Sequence, residues 1–179
     1  MKIIKTPFKG LKIIKLKKHS DKRGNLVETF RENRLKGKKL IFDYRVFSKK
    51  NILRGFHFQT KYPQIKYINV LKGKVLEVVI DLRKNSKTFG KHFKIILSEK
   101  NSTSLYVPEG FAHGFCGLDK ENYLLYSCSN YRDKKAEIGI KWNDKDLKIK
   151  WPIKNPIVSK RDKMALTFYE YKKLHMKNS

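Results

Sequence analysis

Short runs of apolar residues recur along most of the chain, and turn-forming residues separate them. They lie at residues 11–16, 26–30, 41–48, 51–59, 66–71, 74–81, 93–97, 104–107, 111–115 and 123–129. Their length and their β-branched and aromatic content favour strands over helices. A helical pattern comes only near the end of the chain, where residues 164–173 predict a short helix. The pattern therefore predicts an all-β domain, built as a sandwich or a barrel.

Turn signals indicate where these predicted strands end. Residues 19–24 form a turn cluster, Pro108-Glu109-Gly110 predicts a sharp turn, and residues 31–40 predict a loop or a brief helix. Lys72-Gly73 separates two β-rich runs and predicts a hairpin. The chain has no visible internal repeat or dividing linker. We therefore expect a single domain over residues 1–179, with its core at about 10–165.

The run from Ile52 to Gln59 combines apolar residues with groups capable of chemistry. Because strand side chains alternate, Phe56 and Phe58 would share one face, and His57 and Gln59 would share the other. This arrangement places an imidazole beside another polar group, as at the wall of a pocket where a base acts. A structural histidine is the alternative that these residues alone leave open.

The charge of the chain suggests polyanions as partners, but its distribution argues against nucleic acid. The formal net charge is +27, from 43 Lys and Arg against 16 Asp and Glu. Of the basic residues, 35 are lysines, and they are spread over the whole chain rather than clustered. Dispersed lysines are typical of a solvated surface. We expect no nucleic-acid role, although a positive field would attract phosphate-bearing small molecules.

The apolar pattern also bears on location. The chain contains no run of eighteen apolar residues and no leader of the charged-apolar-small type. Cys116 and Cys128 are too few for a disulfide framework and lack metal-ligand spacing. These features predict a cytoplasmic protein that does not enter a membrane.

Several polar residues on predicted strands are candidates for chemistry. Two histidines and a carboxylate, His57, His113 and Glu77, are a possible metal set. Alternatively, Asp162 could orient His57 as a base, and Tyr126 could act as an acid in the same cavity. For each of these residues a structural hydrogen bond is the other interpretation.

Three basic residues suit the binding of phosphate groups. Arg23 and Arg54 offer a guanidinium that can bind two oxygens at once, while Lys66 offers a point charge. A solvated surface charge is the alternative for each of them.

Distinctive sequence blocks follow one another from about residue 20 to residue 165. They are Asp21-x-Arg23-Gly24, Leu53-Arg54-Gly55-Phe56-His57-Phe58-Gln59, Gly73-x-Val75 with Asp81-Leu82-Arg83, Ser86-x-Thr88-Phe89-Gly90, Val107-Pro108-Glu109-Gly110-Phe111-Ala112-His113-Gly114-Phe115, Trp142-Asn143-Asp144, Ile149-x-Trp151-Pro152 and Ser159-Lys160-Arg161-Asp162. Together, in this order, they resemble the dTDP-4-dehydrorhamnose 3,5-epimerase family.

The resemblance implies a fold, an assembly and a substrate class. The fold would be a double-stranded β-helix, a cupin-like jelly roll with short peripheral helices, and the protein would form a homodimer. It would need no metal and no cofactor. Its substrate would be a nucleoside-diphosphate 4-keto-6-deoxy sugar, whose ketone makes the hydrogens on C3 and C5 acidic.

The resemblance also implies roles for individual residues. His57 would take the proton, Asp162 would hold and activate His57, and Tyr126 would return a proton from the opposite ring face. Lys66 would lie near the developing enolate oxygen, where a fixed cation has its largest effect. The substrate-binding residues would be Arg23, Glu28, Arg54, Gln59, His113 and Tyr131.

Departures from the family pattern leave the substrate more open than the chemistry. Phe42-Asp43-Tyr44-Arg45-Val46 stands where the family often has Gln-x-Asn-x-Ser, Arg132 replaces the second tyrosine of a pair, and Glu77 replaces an aspartate. The sugar could be a heptose or an amino sugar, the nucleotide could be GDP, and inversion could be limited to C3.

Three other functions stay open as alternatives. One is a 3,4-ketoisomerase with similar residues, and another is a non-catalytic module that binds polyanions. The third is a metal-dependent cupin, which the sequence disfavours because Gln59 stands where metal cupins usually carry a second histidine.

Overall fold

The computed structural model describes residues 1–35 and 37–175. Its strands are β1 (Lys2–Lys5), β2 (Lys12–Lys15), β3 (Lys18–Asp21), β4 (Gly24–Val27), β5 (Phe42–Lys49), β6 (Ile52–Gln59), β7 (Lys66–Lys72), β8 (Lys74–Asp81), β9 (His92–Ser98), β10 (Thr103–Val107), β11 (Phe111–Gly117), β12 (Glu121–Cys128), β13 (Glu137–Gly139) and β14 (Ile157–Val158). The helices are short: a 3₁₀ turn at Glu32–Arg34, α1 at Lys160–Lys163 and α2 at Phe168–His175. In this part of the chain, no helix has the length and apolar character needed to cross a membrane.

Two antiparallel sheets face each other. The first has the order β1-β2-β10-β7-β12-β5, and the second has the order β13-β6-β11-β8-β9, with β14 added in parallel to β6. Strands that follow one another in the chain often lie in opposite sheets, as β7 and β8 do. This alternation winds the chain into a double-stranded β-helix, so the predicted cupin-like jelly roll is confirmed.

The hairpin predicted at Lys72-Gly73 is wrong. β7 pairs with β10 and β12, whereas β8 pairs with β9 and β11. Gly73, at a φ of +85°, carries the chain from one sheet to the other. A turn signal predicts that the chain changes direction, but it does not predict which sheet receives the next strand.

The predicted terminal helix is displaced. The first short helix, α1, ends at Lys163, just before the predicted range, and within that range only residues 168–173 are helical, as the first part of α2. The strands β1, β3, β13 and β14 were not predicted, because each has four residues or fewer and too little sequence to carry a pattern. Most of β3 lies in the range that was predicted as a turn cluster, residues 19–24.

The space between the sheets is filled by one apolar cluster, and a second cluster covers the outer face of the second sheet. Val79, Phe111 and Tyr126 belong to the inner cluster. On β6, the rings of Phe56 and Phe58 point outward, against Trp151 and Tyr171. The predicted alternation along β6 is therefore confirmed, and His57 faces the space between the sheets.

Two glycines bring β6 and β11 unusually close together. A Cβ built on Gly55, whose φ is +122°, would lie only 2.5 Å from Cα of Gly114. The register of the two strands shifts at this point, from a pairing of His113 with His57 to one of Phe115 with Arg54. The shift is a bulge, which re-aims side chains locally. It places the two histidines side by side at the inner face of the second sheet.

Candidate active site

A cavity of about 520 Å³ opens between the two sheets. It collects most of the predicted site residues on one surface: Arg54, His57, Gln59, Lys66, His113, Tyr126 and Asp162. His57 on β6 and His113 on β11 belong to the second sheet, while Lys66 on β7 and Tyr126 on β12 belong to the first. The imidazole of His57 and the phenol of Tyr126 therefore line the cavity from opposing sheets.

His57 is held by the carboxylate of Asp162. Oδ1 of Asp162 lies 2.6 Å from Nε2 of His57, and Oδ2 lies 3.5 Å from the backbone nitrogen of Gly55. Ser159 caps α1 by accepting a hydrogen bond from the backbone N–H of Asp162 at 3.1 Å, which fixes the position of the carboxylate. Burial raises the pKa of Asp162, but the hydrogen bond and charge of His57 outweigh it and bring this pKa below its usual value. The carboxylate is thus an ionised partner for the imidazole.

A second carboxylate faces the other nitrogen of the same ring. Oε1 of Glu137 lies 4.0 Å from Nδ1 of His57. Its other oxygen, Oε2, accepts a hydrogen bond from Arg132 at 2.7 Å and lies 3.3 Å from the guanidinium of Arg161. Burial raises the pKa of Glu137, but the hydrogen bond from Arg132 and the charges of His57 and Arg161 lower it overall. His57 therefore lies between two carboxylates.

Sequence reasoning missed Glu137 and Arg161. Glu137 reaches the site because β13 pairs with β6 in a register that sets Gly139 opposite His57. A three-residue strand gives almost no pattern to detect. Arg161 adjoins Asp162 in a block that resembles the family, which was the one available signal.

Lys66, His113 and Glu77 form a connected set across the cavity wall. Nζ of Lys66 lies 2.9 Å from Nε2 of His113, and Nδ1 of His113 lies 3.0 Å from Oε1 of Glu77. Burial lowers the pKa of His113 well below its usual value, and the charge of Lys66 adds to this effect. His113 is therefore a neutral ring that accepts a hydrogen bond from Lys66 and donates one to Glu77.

Burial moves the pKa values of the other two members of this set, Lys66 and Glu77, in opposite directions. It lowers the pKa of Lys66 and raises that of Glu77 well above its usual value, while the charge of Lys66 opposes the rise. Glu77 points inward, as predicted, and is fully buried. The set presents one ammonium group to the cavity and keeps it in place through a neutral imidazole.

Tyr126 is a buried phenol without a hydrogen bond. Its side chain is 1% exposed, and its hydroxyl has no partner within residues 1–35 and 37–175. Burial, together with the charge of Glu77, raises its pKa well above the usual value. The hydroxyl therefore carries its proton at neutral pH. A neutral phenol that is not bound to another group can donate this proton to a ligand.

The predicted binding residues Arg54, Gln59 and Tyr131 lie at or near the cavity. Nε of Arg54 donates to Ser48 Oγ at 3.0 Å. Gln59 lines the cavity, but its amide bonds the backbone of neighbouring segments, including Tyr62 and Tyr131. Tyr131 is 70% exposed and packs its ring 5.5 Å from that of Phe42, which lines the cavity.

Arg23 and Glu28 are not brought to the cavity within one chain. Arg23 lies on the exposed hairpin of β3 and β4 and binds Asp21, while Glu28, just after this hairpin, binds Arg31. Neither residue lines the cavity. Their predicted contact with substrate would therefore require a rearranged hairpin or a second chain.

The possible metal set of His57, His113 and Glu77 has a different arrangement. Nε2 of His113 is bonded to Lys66, and Nε2 of His57 is bonded to Asp162. Across the described stretches of the chain, no three His, Cys, Asp or Glu side chains are grouped as metal ligands.

Comparison with known proteins places this fold among the carbohydrate epimerases, a class of isomerases. A family model for dTDP-4-dehydrorhamnose 3,5-epimerase matches residues 5–170. The enzyme of that name from Shigella flexneri is 40% identical over 168 residues, which cover 90% of this chain and 93% of the relative. The chain belongs to the dTDP-4-dehydrorhamnose 3,5-epimerase family, as the sequence blocks predicted.

Solved structures agree with this assignment. The crystal structure of dTDP-4-dehydrorhamnose 3,5-epimerase from Elizabethkingia anophelis has a TM-score of 0.89 at 39% identity, covering 95% of this chain and 97% of its own. The dTDP-6-deoxy-D-glucose-3,5-epimerase from Legionella pneumophila was solved with dTDP-4-keto-L-rhamnose. It has a TM-score of 0.90 at 35% identity, and the match covers 93% of this chain and 92% of the Legionella chain.

Proposed function

We propose that this enzyme inverts C3, C5 or both in a dTDP-4-keto-6-deoxy sugar, without a metal or a cofactor. One observation carries the proposal: an imidazole held by a carboxylate, His57 with Asp162, faces a neutral phenol, Tyr126, across one cavity. Inversion needs a base on one side of the sugar ring and an acid on the other. The ligand named in the Legionella structure supports the substrate class.

The proposed reaction begins with removal of a proton next to the ketone. Neutral His57 takes the proton from C3 or C5, and the ionised Asp162 stabilises the imidazolium that forms. The electrons of the broken C–H bond move onto the ketone oxygen and give an enolate. The ammonium of Lys66, held by His113, stabilises the negative charge on that oxygen.

The reaction ends with delivery of a proton to the opposite face. Tyr126 gives its hydroxyl proton to the same carbon, the carbonyl re-forms, and the carbon is inverted. The tyrosinate regains a proton and the imidazolium loses one before the next cycle. Burial keeps Tyr126 protonated until the enolate is present, because it disfavours the charged phenolate.

We further propose a homodimer, in which a second copy supplies Arg23 and Glu28 to the cavity. In the part of the chain that the structure describes, β3 and β4 pair only with each other, and Leu26 on β4 is 68% exposed. Arg54, next to the cavity, and the partner's Arg23 would hold the diphosphate. A mixture of Arg23→Ala and His57→Ala chains tests this, because one site of each mixed dimer would then be intact and regain activity.

We also propose that residues 1–179 form one epimerase domain and that the reaction takes place in the cytoplasm. Cys116 and Cys128 are both free thiols, as is usual in a reducing compartment. Phe42 and Tyr44 on β5 both line the cavity, so the bound sugar nucleotide would meet two aromatic rings there.

Deuterium exchange tests the proposed chemistry. A dTDP-4-keto-6-deoxy sugar incubated with the protein in heavy water gains deuterium at C3, and at C5 as well if both centres react. NMR of the product separates an epimer from the isomer that a 3,4-ketoisomerase would form. Absence of exchange with any 4-keto-6-deoxy or 4-keto-heptose nucleotide would contradict the proposal, whichever nucleotide is attached.

A further inference from the structure

Tyr44 lies directly opposite Tyr126 on the neighbouring strand. β5 and β12 are antiparallel, and their register pairs these two tyrosines. Both side chains line the cavity, and their rings are almost parallel, with 4.9 Å between centroids and 3° between planes. Directly opposed side chains are the closest neighbours that an antiparallel sheet offers. The face of Tyr44 therefore covers the face of Tyr126.

Packing is all that holds the Tyr126 side chain in this cavity. Its hydroxyl forms no hydrogen bond within the described parts of the chain, so no polar contact fixes the oxygen. Besides Tyr44, the ring of His113 lies 5.6 Å away at an interplanar angle of 51°. His113 is itself bonded to Lys66 and Glu77 and cannot turn freely. The Tyr126 ring is thus bounded by a fixed imidazole and by Tyr44.

The orientation of a phenol ring decides where its proton points. Rotation about χ1 moves the hydroxyl oxygen, while rotation about χ2 turns the plane in which the O–H bond lies. A parallel ring on one face limits both rotations, because movement toward it produces a clash and movement away loses contact. A proton donor needs this restriction, since a misplacement of about 1 Å can reduce a rate by about a hundredfold.

We propose that Tyr44 is a positioning residue that holds Tyr126 in the orientation needed to reprotonate the enolate. The inference rests on the proposed role of Tyr126 as the acid and goes beyond it by naming the group that aims this acid.

Three variants separate the ring of Tyr44 from its hydroxyl. Tyr44→Ala removes the ring, Tyr44→Phe keeps the ring, and Tyr126→Phe removes the acid itself. Each is incubated with a dTDP-4-keto-6-deoxy sugar in heavy water, and NMR gives deuterium exchange and net inversion separately. We expect Tyr44→Ala to lower the ratio of inversion to exchange by about tenfold. Tyr44→Phe should restore that ratio, because the stacking ring is present.

Phe47→Ala is the matched control. Phe47 lies on the same strand as Tyr44 and packs against Tyr123 of β12, outside the cavity, with 4.9 Å between ring centroids and 34° between ring planes. The Phe47→Ala substitution therefore removes an aromatic pair from the same two strands, β5 and β12. This variant should leave the ratio of inversion to exchange unchanged, so an effect of lost strand packing would be recognised.

A double-variant comparison distinguishes positioning from general damage. If Tyr44 acts through Tyr126, Tyr44→Ala combined with Tyr126→Phe should exchange within about twofold of Tyr126→Phe alone. An additional loss, or a fall in exchange and inversion together in Tyr44→Ala, would overturn the positioning role. An unchanged ratio in Tyr44→Ala would also overturn it. Failure of the proposed function is recognised separately, because the unaltered protein would then show no exchange.

Discussion

One carboxylate, that of Asp162, contacts both the ring of His57 and the backbone that carries it. Its Oδ1 lies 2.6 Å from Nε2 of His57, and its Oδ2 lies 3.5 Å from the nitrogen of Gly55, two residues earlier on β6. The carboxylate comes from the segment that Ser159 caps. The position of the imidazole thus depends on a contact between β6 and the C-terminal part of the chain.

Asp162→Asn should abolish most proton exchange while the fold persists. The amide has nearly the same shape but carries no charge, so it cannot stabilise the imidazolium that forms when His57 accepts a proton. We expect exchange at C3 to fall by about a hundredfold or more. His57→Ala should lose exchange to a similar extent. Deuterium incorporation followed by NMR measures both variants.

Asp144→Asn is the matched control for this variant. Asp144 is also buried, and it accepts hydrogen bonds from the backbone of Leu147 and Phe168. It does not line the cavity. This change should lower the melting temperature and leave the exchange rate of the folded protein close to that of the unaltered protein. Equal exchange in Asp162→Asn and Asp144→Asn would remove the support for Asp162 as the partner of the base.

Lys66 should produce an alkaline limb in the pH dependence of kcat/KM. Burial lowers the pKa of Lys66, so its ammonium is present below a pKa that is lower than that of an exposed lysine. As pH rises through this value the cation is lost, and with it the stabilisation of the enolate oxygen. Tyr126 does not account for such a limb, because its pKa is raised.

Lys66→Met tests this assignment. The variant should react about a hundredfold more slowly, because a fixed charge aimed at a developing oxyanion is missing. Its residual kcat/KM should no longer fall over the pH range in which the unaltered protein loses activity. An identical alkaline limb in both proteins would assign the titration to another group. The measurement is a pH profile of initial rates with a saturating and a limiting substrate concentration.

Gly55→Ala should destabilise the protein through the contact of β6 with β11. The φ of Gly55 is +122°, and a methyl group there would lie 2.5 Å from Cα of Gly114. Because both atoms belong to backbone, neither can move aside alone, and we expect a loss of about 3 kcal/mol or more. Gly24→Ala separates the effect of the positive φ from the effect of the steric clash. Gly24 has a φ of +136°, but a Cβ at this position would have nothing within 4 Å. Urea unfolding should show a smaller decrease in the free energy of unfolding for Gly24→Ala than for Gly55→Ala.

The sequence predicted the strands better than their partners. The bounds of β6 agree with the expected run to within one residue, because apolar alternation is a local property. Sheet membership is not local, and the pattern around Lys72-Gly73 therefore predicted a pairing that the fold does not contain. The extra strand β13 was missed for the same reason, since its place is set by pairing with β6.

The residues of the site show the same limit, because contacts between residues that are distant in the sequence are not visible in a local pattern. Asp162 stands 105 residues from His57, and residue chemistry offered this pair only as one alternative until the resemblance of sequence blocks favoured it. Glu137 reaches His57 through a strand of three residues and had no such signal. Tyr44 stood out only as a departure from a pattern. Its contact with Tyr126 follows from the register of β5 on β12.

Asp81, at the end of β8, should make the protein acid-sensitive in a defined range. Its buried carboxylate accepts hydrogen bonds from Arg83, Ser86 and Thr88 at 2.5 to 2.8 Å. Burial opposes ionisation, but these bonds lower the pKa of Asp81 from 3.8 to about 2. A lowered pKa stabilises the fold above the unfolded value, and this stability is lost as pH falls from about 4 to 2. The free energy of unfolding of Asp81→Asn should therefore be about 2 kcal/mol lower at pH 7 than that of the unaltered protein. It should also decrease less as the pH falls from about 4 to 2. Urea unfolding at several pH values measures both proteins, and parallel acid dependence would show that other groups cause the loss.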